Sequence, residues 1–157
     1  MNRKLLRIVI SIGFCLVAGF IGSIATQSTV TTWYSTIAKP SFNPPNWLFA
    51  PVWTTLYVLM GIATGLVWDK GVYHKWVKTA LYHFGFQLLL NMAWSLVFFG
   101  LNEIFGALLI VLSLFVLLLF TFKWFKVVNK TAAYLLIPYI FWVGFASILN
   151  FSIWKLN

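Results

Sequence analysis

Five apolar stretches, separated by short polar segments, make up most of this chain. They run over residues 5–25, 47–68, 79–100, 104–122 and 132–153. Each holds roughly 19–22 residues, and a helix of that length rises about 30 Å, the thickness of the hydrocarbon core of a bilayer. Because backbone amides in lipid must be satisfied within the segment, we predict an all-α, integral membrane bundle of five transmembrane helices. The strands of a membrane barrel would be about half as long and would alternate in polarity.

The composition agrees with this prediction. Of the 157 residues, 62% are hydrophobic and 8% are charged, whereas about 25% of an ordinary soluble domain is charged. A soluble fold of this length could not bury so much apolar side chain, because small domains expose much of their surface. The length suits a single domain over residues 1–157. The single Cys15 rules out a disulfide framework within the chain.

The basic residues are unevenly distributed. Nine of the eleven Lys and Arg residues precede or begin the first stretch or fall in or beside the second and fourth connections, and only Lys39 and Lys155 fall on the opposite side. Such a bias predicts a cytoplasmic N-terminus and an external C-terminus in a bacterial cell membrane. It also accounts for most of the net charge of +9. We therefore predict the lipid bilayer, and no nucleic acid, as the partner of these charges.

The first apolar stretch has a second interpretation. Its basic start and the small residues Ser23 and Ala25 also fit a secretory signal peptide with its cleavage site. Cleavage would leave four helices in the same orientation, so the charge bias does not distinguish the two. Gly13, Gly19 and Gly22, in contrast, suit the close packing of a retained helix. The mass of the purified chain decides between them.

Residues 26–46, the first connection, are unusually specified for a linker. Pro40, Pro44 and Pro45 fix their own φ angles and push their predecessors into extended geometry, so the segment should be stiff. Asn43 is a candidate cap for the helix that follows. Aromatic residues here would serve as interfacial anchors in a plain connector. For the segment as a whole, we favour a lid over a pocket.

Helical spacing places three sets of side chains on single faces of the second, third and fifth stretches. The sets are Phe49, Trp53 and Tyr57; Gln87, Asn91, Trp94 and Ser95; and Pro138, Trp142, Ala146 and Leu149. Polar groups are costly in lipid, so the second set must face protein, water or ligand. Two interpretations stay open: contacts that join helices, or a mostly apolar pocket with few polar groups. Pro138 should kink its helix, and the uniformly apolar fourth stretch should face lipid most.

Conventional catalysis has few candidate residues. The only carboxylates are Asp69 and Glu103, which lie near the ends of different stretches, and His74 and His83 are nine residues apart. Paired acids, a nucleophile with a neighbouring base, and metal-ligand spacing are all absent from the sequence. We predict no metal and no obligatory cofactor.

Several motifs are similar to those of the translocator protein (TspO/MBR) family, also called tryptophan-rich sensory proteins or peripheral-type benzodiazepine receptors. The motifs touch four of the five stretches, and together they are highly specific. They are Gly19-Phe20-Ile21-Gly22-Ser23, Trp33-Tyr34, Lys39-Pro40-Ser41-Phe42-x-Pro44-Pro45-x-Trp47, Pro51-Val52-Trp53-Thr54-x-Leu56-Tyr57-x-x-Met60-Gly61, Gln87-Leu88-x-Leu90-Asn91-x-Ala93-Trp94, Phe98-Phe99-Gly100, Leu136-x-Pro138-Tyr139-x-x-Trp142 and Leu149-Asn150-x-x-x-Trp154.

The resemblance implies a receptor that binds porphyrins of the protoporphyrin IX type beneath the first connection. The predicted ligand-binding residues are Trp33, Tyr34, Pro45, Phe49, Trp53, Tyr57, Asn91, Trp94, Ser95, Trp142, Ala146 and Leu149. The resemblance also implies light-dependent porphyrin degradation, because Trp53 and Trp142 match the tryptophans to which this degradation is attributed in bacterial members. Porphyrin is then ligand or substrate, with propionates near Lys39 and the first amides of the second helix.

Three other functions are alternatives to porphyrin binding. The first is a transporter of tetrapyrroles or lipids, but inverted repeats, broken helices and buried coupling charges are not evident in the sequence. The second is a structural partner or homodimer formed through Gly61-x-x-x-Gly65, a spacing that serves equally for packing within one monomer. The third, sterol binding, is not predicted, because the region of Leu149 to Lys155 has no Tyr at the centre of the animal members' motif.

Overall fold

The computed structural model describes residues 1–157, which form helices and no strands. Five helical segments are long and apolar enough to cross a membrane, which confirms the predicted bundle. In chain order the helices are α1 (Arg3–Thr29), α2 (Trp33–Thr36), α3 (Asn46–Trp68), α4 (Lys75–Ser95), which continues as a π-helical turn (Leu96–Gly100), α5 (Ile104–Val128), α6 (Lys130–Leu135) and α7 (Ile137–Leu156).

The five spans form a closed ring. α1 packs between α3 and α4, α5 packs between α4 and α7, and α6 closes the ring against α3. The N-terminus and the α3–α4 and α5–α6 connections lie at one end, called here the basic end. The opposite end, called the lid end, carries the first connection, the α4–α5 connection and the C-terminus. Its close packing includes Tyr34, Phe98 and Ile153, which belong to a buried apolar cluster.

Side chains cap the starts of two helices, α1 and α6. The Asn2 side chain caps α1 by accepting a hydrogen bond from the amide of Lys4 at 2.9 Å, as N-cap residues of this type do. The predicted cap Asn43 is wrong, because Pro45 occupies the N-cap position of α3 and provides no side-chain bond. The amide oxygen of Asn43 instead accepts a hydrogen bond from the Tyr34 hydroxyl at 2.8 Å. A tertiary partner has displaced the local one.

The fifth span is interrupted, as Pro138 predicts. α6 ends at Leu135, and α7 begins at Ile137 with Pro138 in its first turn. Proline has no amide hydrogen to donate, but it is tolerated in the first turn of a helix, where no intrahelical bond is required. The break at Leu136 therefore gives α7 a new start and its own direction.

The prediction that the fourth span faces lipid most is wrong. In their most apolar windows, 33% of α5 residues but only 22% of α1 residues are buried. Ala107, Val111, Leu114 and Leu118 of α5 face the core and are almost fully buried. Lipid tails are as apolar as leucine, so a uniformly apolar helix carries no signal of which face meets protein.

α1 and α3 approach most closely toward the basic end. A Cβ atom placed on Gly61 would lie 2.7 Å from the Cγ1 atom of Ile12, and one on Gly65 would lie 2.7 Å from Cγ1 of Ile8. Below this seam, Nη1 of Arg7 donates to Oδ1 of Asp69 at 3.0 Å. The Gly61-x-x-x-Gly65 face is thus occupied within the monomer, and a homodimer would have to use another surface.

Candidate functional site

A cavity of about 460 Å³ lies between α1, α3, the end of α4 and α7, toward the lid end. Sixteen of its 26 lining residues are hydrophobic. Small-molecule pockets span about 300–1,000 Å³ and are mostly apolar with a few polar groups, so the size and lining are those of a ligand site.

Trp53 is the centre of an aromatic wall. Its ring stacks on that of Tyr57 at a centroid distance of 5.7 Å. The ring of Trp94 lies 6.1 Å away, and Trp142 meets Trp53 edge-on at 6.4 Å. These contacts bring together residues from three different helices. The sequence predicted their faces but could not show that the faces meet.

A chain of hydrogen bonds lies beneath the cavity. The Tyr57 hydroxyl donates to Oδ1 of Asn91, whose Nδ2 donates to the Tyr139 hydroxyl, and that hydroxyl donates to Oε1 of Gln87, each at 2.7 Å. Gln87 is 0% exposed and Asn91 is 2% exposed. Gln87 therefore joins helices, whereas Asn91 both joins helices and lines the cavity. Both predicted roles of this polar face, joining helices and lining a pocket, are therefore present on it.

α1 supplies the opposite wall. The Ser95 hydroxyl donates to the carbonyl oxygen of Gly22 at 2.9 Å and lies 3.3 Å from the Thr26 hydroxyl. Gly19 lies against the Tyr57 ring, where a Cβ atom would come within 2.6 Å of Cδ2. Only glycine at this position leaves room for the ring, and the ring in turn carries the stacked Trp53.

Tyr34 contributes to the roof of the cavity from the first connection. Its side chain is 2% exposed, and its ring lies 5.5 Å from Phe99. Burial raises the pKa of its phenol above the ordinary value, with the hydrogen bond to Asn43 opposing the shift in part. The phenol thus stays protonated at neutral pH and remains a donor.

Two further contacts hold the first connection in place. Nζ of Lys39 donates to the carbonyl oxygens of Tyr34 at 2.7 Å and Ile37 at 3.1 Å. The Asn157 side chain accepts from the amide of Ala38 at 3.0 Å and donates to its carbonyl oxygen at 2.9 Å. Lys39 does not line the cavity. Its expected role with ligand propionates gives way to a structural one, because the loop's own carbonyls are closer acceptors.

The wall between α1 and α3 is incomplete toward the lid end. Several lining residues on these helices are also exposed on the outer surface, among them Phe20, Gln27, Asn46, Ala50 and Thr54. The two helices are pinned together at Gly61 and Gly65 and separate above that point. The cavity consequently has a side opening at the depth of the membrane.

Ten of the twelve predicted ligand-binding residues line the cavity; the other two, Trp33 and Pro45, do not. Trp33 packs edge-on against Phe98 at 5.6 Å and supports the roof from outside. Pro45 is exposed at the start of α3. Both were predicted because the whole connection was read as a lid, but only one side of a loop can face a pocket.

The π-helical turn and α1 also contribute to the cavity, which was not predicted from the sequence. Phe98 and Phe99 line the cavity, and no helical spacing indicated them because a π turn shifts the register of the residues beyond it. Asn150 could have been identified from the sequence, because a side-chain amide in an apolar span needs hydrogen-bond partners. Its Oδ1 accepts from Nε1 of Trp94, and its Nδ2 donates to the Ile104 carbonyl oxygen, both at 3.0 Å.

A model of the TspO/MBR family matches residues 11–155. The chain belongs to the TspO/MBR family. The tryptophan-rich protein TspO of Chlorobaculum tepidum is 42% identical over 157 residues, which cover all of this chain and 99% of that protein. The protein of the same name in Archaeoglobus fulgidus is 42% identical over 155 residues, 98% of this chain and 99% of that one.

The family extends to animals. The translocator protein of Bos taurus is 35% identical over 151 residues, which cover 94% of this chain and 89% of that protein. The resemblance drawn from the motifs is therefore confirmed, as is the assignment to a membrane. No group of three or more His, Cys, Asp or Glu side chains is placed to hold a metal ion.

Proposed function

We propose that this TspO/MBR family member is a membrane receptor or sensor that binds a porphyrin, or a similarly flat apolar ligand, in the cavity. The observation that carries the proposal is the convergence of Trp53, Tyr57, Trp94 and Trp142 around one chamber of about 460 Å³. Aromatic pairs contribute about 0.5–1.5 kcal/mol each beyond the burial of area, so a large flat ring is the ligand that gains most there.

The side opening suits a ligand with one polar edge. The ring system enters from the bilayer between α1 and α3, and its carboxylates stay at the mouth. Asn46 and Gln27 line that mouth, and the first turn of α3 contains no acidic residue. The exposed amides of a helix start favour an anion. These groups take the role first expected of Lys39.

Titration with protoporphyrin IX in the dark tests binding, with quenching of tryptophan fluorescence as the signal. Trp53→Leu should weaken binding by roughly 2–10-fold, the equivalent of one lost aromatic contact. Trp154→Leu is the matched control, because Trp154 packs on Phe105 at 5.3 Å and does not line the cavity. Equal affinities for wild type and Trp53→Leu would show that the ligand does not bind in this cavity.

Light-dependent degradation is the second half of the proposal. The porphyrin absorbs the photon, while the protein orients it and supplies oxidisable indole rings at Trp53 and Trp142. Illumination of the dark-loaded protein should bleach porphyrin more slowly in Trp53→Phe and Trp142→Phe, compared at equal occupancy. Unchanged rates in both variants would leave a receptor without photochemistry.

The floor of the cavity favours binding over transport. Beneath Tyr57 and Asn91, the side chains of Met60, Gln87 and Tyr139 are fully buried. A ligand has no open path from the cavity to the basic end. In liposomes, the binding-competent protein should therefore show no net porphyrin flux, and flux above that of empty liposomes would reinstate the transporter.

A further inference from the structure

A pair of stacked indoles lies at the basic end, away from the cavity. Trp76 in the first turn of α4 and Trp124 near the end of α5 have ring centroids 5.4 Å apart and an interplanar angle of 15°. The Trp76 side chain is 50% exposed. Tryptophan is common at the interface between membrane and water, where its apolar body and polar edge meet both phases. The pair forms a platform at that depth, and neither residue lines the cavity.

Each indole has an ammonium group above it. Nζ of Lys75 lies 5.6 Å from the Trp76 ring centroid, and Nζ of Lys123 lies 5.7 Å from that of Trp124. Lys78 and Lys126 follow three residues later on the same helices, so each falls beside its predecessor on the helix surface. All four lysines are exposed. Two helices thus present their cations beside one aromatic platform.

No carboxylate neutralises this cluster. Of the two acidic residues in the chain, Asp69 is paired with Arg7 at 3.0 Å, and Glu103 stands at the start of α5, at the lid end. None of the four lysine ammonium groups donates to a protein acceptor or forms an ion pair; the one ion pair in the structure is Arg7–Asp69. Like charges three residues apart on a helix destabilise it. An external anion that contacts both helices would relieve this repulsion.

We propose that Trp76 and Trp124 with Lys75 and Lys123 form a binding site for the headgroup of an anionic phospholipid. The lipid phosphate meets the ammonium groups, and the glycerol and first acyl carbons lie against the stacked rings. A soluble anion would use the lysines and leave the rings unoccupied. The bias of positive charge toward one side explains how many cations lie at this end, but not why two of them cap a stacked tryptophan pair.

The test measures lipid retention by native mass spectrometry and thermal stability of the full chain in detergent. The probes are phosphatidylglycerol and phosphatidylcholine with identical acyl chains. We expect phosphatidylglycerol to be retained and to raise the melting temperature more than phosphatidylcholine does. In the double variant Lys75→Gln/Lys123→Gln its affinity should fall about 30-fold, since each lysine in direct contact with the phosphate of the bound lipid should contribute about fivefold.

Two matched controls separate the site from general electrostatics. Arg3→Gln/Lys4→Gln removes the same charge from the same end and should leave retention of phosphatidylglycerol within about twofold of wild type. Lys155→Gln removes a lysine that lies over Phe151 at 5.6 Å at the lid end and should have no effect. An equal loss in Arg3→Gln/Lys4→Gln would overturn the proposal and show nonspecific attraction to charge.

Two more measurements address the lipid itself. Trp76→Leu keeps every lysine and should still weaken phosphatidylglycerol retention; retention equal to wild type would show that the indole platform has no part in binding. Inorganic phosphate should not reproduce the thermal stabilisation. If it does, the site binds a free anion and the proposal of a lipid is wrong. Circular dichroism confirms that each variant is folded.

Discussion

At the scale of single residues, the polar groups beneath the cavity matter most. Tyr57, Asn91, Tyr139 and Gln87 form one chain of hydrogen bonds across α3, α4 and α7. Lipid offers no competing partners, so each group depends on the next one. The chain fixes the floor of the cavity and the direction of the Tyr57 ring, on which Trp53 stacks.

Tyr139→Phe should destabilise the protein more than Tyr57→Phe. The Tyr139 hydroxyl takes part in two hydrogen bonds and that of Tyr57 in one, and interhelical bonds in membranes contribute about 0.6 kcal/mol on average and about 1.7 at most. We expect a loss of about 1–2 kcal/mol for Tyr139→Phe and roughly half of that for Tyr57→Phe. Unfolding in mixed micelles measures both. Tyr134→Phe is the control, because Tyr134 is exposed and forms no side-chain hydrogen bond.

At the scale of elements, α1 packs closely along one side of α3. Toward the basic end the two helices touch through Gly61 and Gly65, and toward the lid end they separate around the cavity. The seam therefore sets how far apart the helices stand at the opening. We therefore expect the size of the side opening to depend on Gly61 and Gly65, which do not line the cavity.

Gly61→Ala should lower stability by about 1–3 kcal/mol, the usual cost of overpacking. The new Cβ would meet the backbone and Cγ1 of Ile12, and backbone cannot move aside as a flexible side chain does. Gly85→Ala is the matched control, because nothing lies within 4 Å of a Cβ there, and its stability should be unchanged or raised. Equal melting temperatures for Gly61→Ala and wild type would contradict a close contact between α1 and α3 at Gly61.

At the scale of the whole molecule, the two ends differ in charge and in the elements they carry. The basic end holds the N-terminus and nine of the eleven cations, and the lid end holds the roof of the cavity. If the charge bias sets orientation, the lid and the C-terminus face outward. The cavity then opens into the outer half of the bilayer.

Single reporter cysteines test this orientation. Cys15 is fully buried, so it should not react and need not be replaced. Ser41→Cys places a thiol on the exposed first connection, and Tyr73→Cys places one on the exposed α3–α4 connection. A maleimide that cannot cross the membrane should label only the first variant in intact cells and both variants after lysis. Labelling of Tyr73→Cys alone in intact cells would reverse the orientation.

Particular residues show how far sequence reasoning reached. The spacing of Phe49, Trp53 and Tyr57 predicted one face, and that face lines the cavity. Asn91 and Ser95 were placed correctly because lipid does not tolerate an unpaired polar group. Asn43 was expected to cap α3, but its side chain bonds to Tyr34. Lys39 was expected to meet ligand carboxylates, but its ammonium group bonds to carbonyl oxygens of its own loop. Both partners depend on how the first connection folds, which the local sequence does not show.

Five helices, most of their ends and the asymmetry of charge could be read from the amino-acid sequence alone, because each follows from the length and chemistry of a continuous segment in a bilayer. The tertiary structure was needed to show which apolar faces meet protein and which meet lipid, because lipid and protein interior are equally apolar. It also decided the side opening, the roles of Phe98 and Phe99 beyond the π turn, and the meeting of Trp76 with Trp124. Those features depend on how helices distant in sequence pack, which no local pattern encodes.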